Sequence, residues 1–224
     1  MSIDNHGHEY EFEPQFGLPE RLPSNERILW QGSPDVATLA KSAFHLRKLV
    51  VYFGILLLAR AYPEVQAGAG LLDVLIALKW LAPLTVAGLL TVWFLAWMTA
   101  STTVYTLTNQ RVVMRLGIVL TVTFNLPLSK IASADLRSLS GGHGDITLSL
   151  QGEDRIAWVH LWPSVRPWRI SKPEPTLRAV ANATGLASEL SAAWTAVNGP
   201  SVALAHTART RAPSPAGRLQ ASAT

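Results

Sequence analysis

The sequence predicts an α+β membrane protein: a transmembrane helical hairpin delivers the chain into a small antiparallel β-domain with a C-terminal helix. Three stretches carry that expectation. Residues 81–100, LAPLTVAGLLTVWFLAWMTA, contain no formally charged side chain. A helix of about 20 such residues crosses a hydrocarbon core of about 30 Å. Residues 101–117, STTVYTLTNQRVVMRLG, switch at once to alternation, with Val104, Thr106 and Thr108 on one strand face and Tyr105 and Leu107 on the other. Asn109-Gln110 stands where a tight turn is expected, and Arg111 opens the return strand. Residues 174–197 then have the composition of a helix, interrupted at Gly185.

Composition narrows the function classes. The chain has 224 residues, a net charge of +4, 49% hydrophobic residues and 15% charged ones, against about 25% charged in a soluble domain. The length suits one membrane unit and one domain of about 90 residues. There is no cysteine, which excludes disulfides, thiolate metal sites and cysteine nucleophiles. The modest positive excess lies beside the apolar stretches and in the tail, where attraction to an anionic lipid surface explains it more simply than nucleic acid does. The start, Met1 to His6, lacks a basic region followed by an apolar core. No cleavable signal peptide is expected, so the spans must serve as their own insertion signals.

In chain order, residues 1–24 are polar and punctuated by Pro14, Gly17, Pro19 and Pro23, and read as a flexible arm. Residues 25–48 read as a strand, ERILWQG closed by Ser33-Pro34-Asp35, followed by a juxtamembrane helix. A lone strand cannot satisfy its backbone groups, so this one should pair with the later sheet. That pairing puts residues 26–32 and the domain on one side of the membrane and requires an even number of spans between them. The hairpin occupies residues 43–100, with spans expected near 43–62 and 80–100 and a Gly-rich turn at 66–70. The apolar stretch 71–80 carries Asp73 and Lys79 and reads as interfacial or as an extension of the second helix. Trp80, Trp93 and Trp97 are candidates for the interfacial belts. From residue 101 to 198 the pattern is a β-domain with strands near 102–108, 111–116, 118–125, 131–138, 145–151 and 155–161, then the helix. Residues 199–224 read as a disordered tail.

The basic residues give an orientation. Arg27, Lys41, Arg47 and Lys48 precede the first span, and Arg111 and Arg115 follow the second. The short connection has only Arg60 and Lys79, offset by Glu64 and Asp73. Positive-inside then places both termini in the cytoplasm.

About six short strands and one helix on a membrane hairpin resemble the bacterial pleckstrin-homology-like membrane domain. The residues that carry this are ILWQGSP at 28–34, YTLTNQRVVMRLG at 105–117, LPLSKIASADLR at 126–137 and GDITLSL at 144–150. A narrower resemblance rests on FEPQFGLPERLPSNERILWQGSPD at 12–35 and LWPSVRPWRISKPEPTLRAV at 161–180. With the segments above, these are similar to the photosynthetic complex assembly protein PuhB family of purple phototrophic bacteria. That resemblance covers roughly residues 10–190. It implies a multi-pass inner-membrane factor, in the cytoplasmic or intracytoplasmic membrane, that helps to assemble the reaction centre with its core light-harvesting ring. The family is usually drawn with three spans, and residues 71–80 are where a third would have to be found.

No catalytic constellation stands out, so an enzyme is not expected. Ser101 and Ser133 lack a G-x-S-x-G context. Asp135, Asp145, Glu153 and Asp154 show no spacing beyond that of turns and strand ends, and Gly141-Gly142-His143-Gly144 is a hairpin connection without a following Lys-Ser/Thr. His160 has no identifiable partner as a base, His6 and His8 read as solvated, and His45 reads as part of a polar helix start rather than a pigment ligand. No metal and no cofactor are expected. The contact surface for reaction-centre and core-antenna subunits is placed on Trp162, Arg166, Trp168 and Arg169, because aromatic and arginine side chains dominate interface hot spots; the competing reading makes both tryptophans core residues that plug one end of the β-domain. Arg47, Lys48, Arg111 and Arg115 are assigned to lipid headgroups or to topology. A headgroup-binding protein and a structural subunit of the photosynthetic complex stay open as alternatives, as does a homo-oligomer.

Overall fold

The computed structural model describes residues 17, 18, 20–117, 121–151, 158–167 and 173–199. Strand β1 (Ile28–Gly32) is followed by helices α1 (Val36–Ser42), α2 (Leu46–Gln66), α3 (Leu71–Leu78) and α4 (Leu81–Thr102). Strands β2 (Val104–Thr108), β3 (Arg111–Leu116) and β4 (Val122–Pro127) come next, then β5 (Ile131–Ser138) and β6 (Gly144–Leu150). A short helix α5 (Trp158–Leu161), strand β7 (Thr176–Val180) and helix α6 (Ala183–Asn198) complete the chain. Two antiparallel sheets result, ordered β1-β2-β3-β4 and β5-β6-β7.

The pairing of the early strand is observed: Gly32 lies opposite Tyr105 and Ile28 opposite Thr108. Two strands adjacent in the sheet are therefore joined by the entire helical region. The chain leaves the sheet through α1 and α2 and re-enters it two residues after α4 ends.

Helix α1 starts on Asp35, whose carboxylate accepts the Thr38 N–H at 2.8 Å. The Asp35 N–H donates to the Ala179 carbonyl at 2.9 Å, which fastens this cap to β7. His45 then adopts a left-handed conformation (φ 55°) and ends any continuity between α1 and α2. The first long helix thus begins at Leu46 and runs to Gln66, past the expected end near 62. Pro63 removes a single intrahelical bond close to the end, where the loss does not stop the last turn. At 21 and 22 residues, α2 and α4 are about 32 and 33 Å long, and both are long and apolar enough to cross a membrane. No residue of α2 is buried, and α4 is buried chiefly at Ala96, Thr99 and Ala100, near its end. Helix α3 has 8 residues, about 12 Å, and is too short to cross by itself.

The β-domain core is built from both sheets: Tyr105, Leu107, Val112 and Met114 cluster with Ile146, Leu148 and Leu177, and Leu161 of α5 joins them. Helix α6 closes it with Leu186, Leu190 and Ala193, a spacing of about one turn each. Its far end is pinned by Trp194 Nε1 donating to the Ile131 carbonyl at 2.9 Å and Asn198 Nδ2 donating to the Leu128 carbonyl at 3.2 Å.

Three expectations for this domain change. Residues 176–180, expected in a helix, form β7 because Ile146 and Thr147 of β6 offer an open ladder to Leu177 and Thr176. The helix starts afresh at Asn182, whose side chain caps Gly185 N–H at 3.3 Å, so Gly185 belongs to the first turn and interrupts nothing. The strand expected at 155–161 is helix α5 over 158–161, with 155–157 outside the described residues. The strand expected at 118–125 is seen as β4 from Val122, with 118–120 likewise outside the described residues. The tail from 200 onward and residues 1–16 of the arm also lie outside them.

Candidate partner-binding surface

Of the four residues assigned to a contact surface, Trp162 and Arg166 are described; Trp168 and Arg169 lie outside the described residues. The segment that carries the first two is held from both sides. Thr176 N–H donates to the Ser164 carbonyl at 2.9 Å, and Arg166 N–H donates to the Glu174 carbonyl at 3.0 Å. Val165 and Ser164 are buried, so residues 164–166 act as a short extension beside the entry to β7.

Trp162 precedes this anchored part and is 49% exposed. Its ring meets Phe44 edge-on, with centroids 5.6 Å apart at 78°. Phe44 belongs to the α1–α2 junction and packs on the small cluster of Leu39, Ala100 and Ala179. The aromatic pair thus sits where the apolar helices meet the β-domain.

Arg166 is placed differently. Its Nη1 donates to Glu174 Oε2 at 3.0 Å and to Asp135 Oδ2 at 3.3 Å. Glu174 is buried, so this guanidinium neutralises an internal carboxylate and ties β5 to the segment before β7. Only its outer edge remains for a partner.

The residues assigned to lipid or topology separate into two places. Val104, two residues after α4, lies opposite Arg115, while Arg111 stands at the other end of β3, four residues away. At about 3.3 Å per residue that is about 13 Å farther from the end of α4. There Arg111 makes a two-pronged pair with Glu26, Nε to Oε1 at 2.7 Å and Nη2 to Oε2 at 2.9 Å. Thr108 Oγ1 donates to the same Glu26 carboxylate at 2.7 Å. The hairpin carries Arg111 away from the helices, and the segment before β1 brings its counter-ion. Arg115 is buried. Arg47 and Lys48 are exposed in the first turn of α2.

Sequence reasoning missed the polar node inside the β-domain. Tyr105 is fully buried; its hydroxyl shares a hydrogen bond with Ser164 Oγ at 2.8 Å and accepts the Arg178 N–H at 3.3 Å. Arg178 Nη1 reaches Asp145 Oδ2 at 3.5 Å, Arg178 Nη2 donates to the Val165 carbonyl at 2.7 Å, and Ala179 N–H donates to Asp145 Oδ1 at 2.9 Å. Burial pushes the Tyr105 phenol up to about 12, against the opposing pull of its Ser164 and Arg178 hydrogen bonds. Burial likewise lowers the Arg178 guanidinium, offset in part by Asp145. Ala179 holds a left-handed conformation (φ 51°) between Asp145 and Asp35. The node links β2, β6, β7 and the Trp162 segment. Among the described residues no three His, Asp or Glu side chains gather as a metal ion requires.

Comparison with known proteins bears on this architecture. The model described as bacterial PH domain matches residues 52–194, more than half of the chain. The chain belongs to the bacterial PH domain family. An uncharacterized 23.7 kDa protein from the puhA 5′ region of Rhodobacter capsulatus is 37% identical over 205 residues, covering 88% of this chain and 94% of that protein. A crystal structure of a DUF1696 family protein with a pleckstrin-homology domain, from Shewanella loihica, aligns with 40% of this chain and 68% of its own at 11% identity and a TM-score of 0.27. In this bacterial PH domain the family match begins inside α2. It therefore leaves out β1, although β1 completes the edge of the first sheet.

Proposed function

We propose that this bacterial PH-domain protein is an inner-membrane assembly factor for the photosynthetic reaction centre and its core light-harvesting complex. It acts by binding their subunits without catalysis. The observation that carries this reading is the relative from the puhA 5′ region of a photosynthetic bacterium, 37% identical over nearly the full length of both chains. The segments that resemble the PuhB family, at 12–35 and 161–180, point the same way. In this reading α2 and α4 cross the bilayer and the β-domain lies in the cytoplasm with both termini. The exposed apolar side chains of both helices support it, among them Val51, Leu58, Leu84 and Leu90. The pairing of β1 with β2 supports an even number of crossings. The aromatic pair Phe44–Trp162, beside the ends of the spans, is where subunits embedded in the same bilayer would be met.

Deleting the gene in its phototrophic host tests the function. Absorption of the reaction centre and core antenna should fall while their transcripts persist, and the chain should be absent from the purified mature complex. An unchanged spectrum refutes the assembly role, and a fixed stoichiometry in the mature complex makes the chain a subunit instead. Reporter fusions at Gly68 and Gly199 should lie on opposite sides of the membrane; matching signals refute the topology.

A further inference from the structure

The N-terminal arm, read in the sequence as flexible, ends in a built contact with the first sheet. Tyr105, Leu107, Val112 and Met114 point into the core. The opposite face of the same strands carries Val104 and Thr106 of β2 and, directly across from them, Arg115 and Val113 of β3. An antiparallel sheet commonly leaves its outer face to water, yet all four of these residues are buried. Gly17 of the arm packs on this face. A Cβ there would stand 2.7 Å from Val104 Cγ1 and 3.1 Å from Gln31 Nε2. Gln31 in turn donates to Thr106 Oγ1 at 2.9 Å. Gly17 has a φ of 74°, which suits glycine alone among common residues, and Leu18 beside it is 2% exposed.

The arm is held again nine residues later, where the buried Glu26 meets Arg111 and Thr108. Between these anchors it is loose. Glu20, Arg21, Pro23, Ser24 and Asn25 are exposed, and residues 20–25 belong to no strand or helix. A segment with so few buried contacts opens at low cost. Its near end can lift from Val104 while the β1–β2 ladder stays paired. Val104 follows α4 by two residues, so the face uncovered in this way adjoins the helix ends.

We propose that the arm is a strap seated in a peptide-docking face, and that an extended segment of a partner subunit takes the place of Gly17 and Leu18 when the strap lifts. The seated strap defines the occupant's chemistry: a glycine whose backbone reaches Val104, followed by an apolar side chain. A helix cannot bring its backbone so close through its side chains. Continuity with the helix ends selects a segment that leaves the bilayer beside this chain. The inference rests on the proposed function for the identity of that subunit and adds how it is held.

The test uses the full-length chain in detergent and an acetylated peptide of residues 17–27, GLPERLPSNER. Gly17→Ala lifts the near anchor, because the added Cβ collides with Val104 and a left-handed backbone disfavours alanine. Amide exchange should then speed at 104–106 and stay unchanged in α6. The peptide should bind this variant about tenfold more tightly than the wild type, since apparent affinity follows the fraction of chains whose face is open. The same peptide with alanine for its glycine should not bind. Unchanged exchange at 104–106, equal affinity for the two chains, or binding of the alanine peptide overturns the inference. Should α6 also exchange faster, Leu18→Ala, which removes the anchor without a collision, replaces Gly17→Ala in the same measurements. In the phototrophic host, p-benzoylphenylalanine in place of Thr123, which lies opposite Arg115 on β4, should cross-link to a reaction-centre or core-antenna subunit more strongly in Gly17→Ala. The peptide should suppress that product in isolated membranes. No such product, or one that the peptide leaves intact, overturns the docking face. The two failures are separable: an unchanged spectrum in the deletion strain refutes the proposed function, and the peptide measurement, which needs no host, then decides the face by itself.

Discussion

Replacing Tyr105 by phenylalanine tests the polar node and has a pH signature that packing alone cannot produce. At neutral pH the substitution removes a hydroxyl from a fully buried site and strands two partners, Ser164 Oγ and the Arg178 N–H. Leaving buried polar groups unmet costs about 2 kcal/mol. At high pH the sign changes. The folded chain keeps the phenol proton up to about 12, while the unfolded chain loses it near 10.0. Between those values the unfolded state binds fewer protons, so stability falls as pH rises. At about 1.4 kcal/mol per pH unit, the wild type loses about 3 kcal/mol across that window, a loss that Tyr105→Phe does not share. The stability gap between the two proteins should hold at about 2 kcal/mol below pH 10. It should close between about pH 11 and 12, then reverse. Unfolding of the full chain in detergent, followed by near-ultraviolet circular dichroism across this range, reads both quantities. A gap that is constant with pH refutes the buried, proton-holding phenol. Absence of a gap at neutral pH means that the hydroxyl is replaced there at no cost.

Three further outcomes follow from the packing. Gly144→Ala should destabilise the chain by about 1–3 kcal/mol in thermal unfolding, because a Cβ there would stand 2.6 Å from Ala183 Cβ and 2.9 Å from the Arg137 carbonyl. Glu26→Gln should cost about 2 kcal/mol by breaking the charged pair with Arg111, and Arg111→Gln in the same chain should recover part of that loss in a double-mutant cycle. Leu39→Ala should cost about 2–5 kcal/mol and speed amide exchange at the end of α4, since Leu39 is 1% exposed against Ala100 and Ala179.

What the sequence made legible depended on how local the deciding physics is. The two long helices, the β2–β3 hairpin and the alternating β5 and β6 follow from runs of apolar or alternating residues that no distant contact has to correct. The pairing of β1 was legible as well, because an isolated strand with unmet backbone groups must find a sheet. β7 was not: TLRAV is good helix composition, and only the ladder offered by β6 makes it a strand. The candidate site shows the same division. Trp162 is half-exposed, and its contact with Phe44, 118 residues earlier in the chain, has no local signal. The partners of Arg111 and Arg166 come from 85 and from 8 or 31 residues away, so composition could not distinguish a free guanidinium from a neutralised one.

The insertion of the helices between β1 and β2 has a mechanical consequence. A helical pair joined to its domain by a single linker would leave the domain free to turn. Here both ends of the helical region run into neighbouring strands of one sheet, with Gly32 opposite Tyr105 one residue inside β2. A third attachment, Asp35 to the Ala179 carbonyl, is made through α1, and Leu39 fills the space between α4 and β7. These attachments tie the helices to β1, β2 and β7, which restricts rotation of the β-domain against them. The Phe44–Trp162 pair is then presented at a constant height beside the helix ends. On the proposed function, a surface fixed in that way would lose little orientational freedom when it binds a partner embedded in the same bilayer. That property suits a protein that must hold a membrane subunit in place long enough for another to join it.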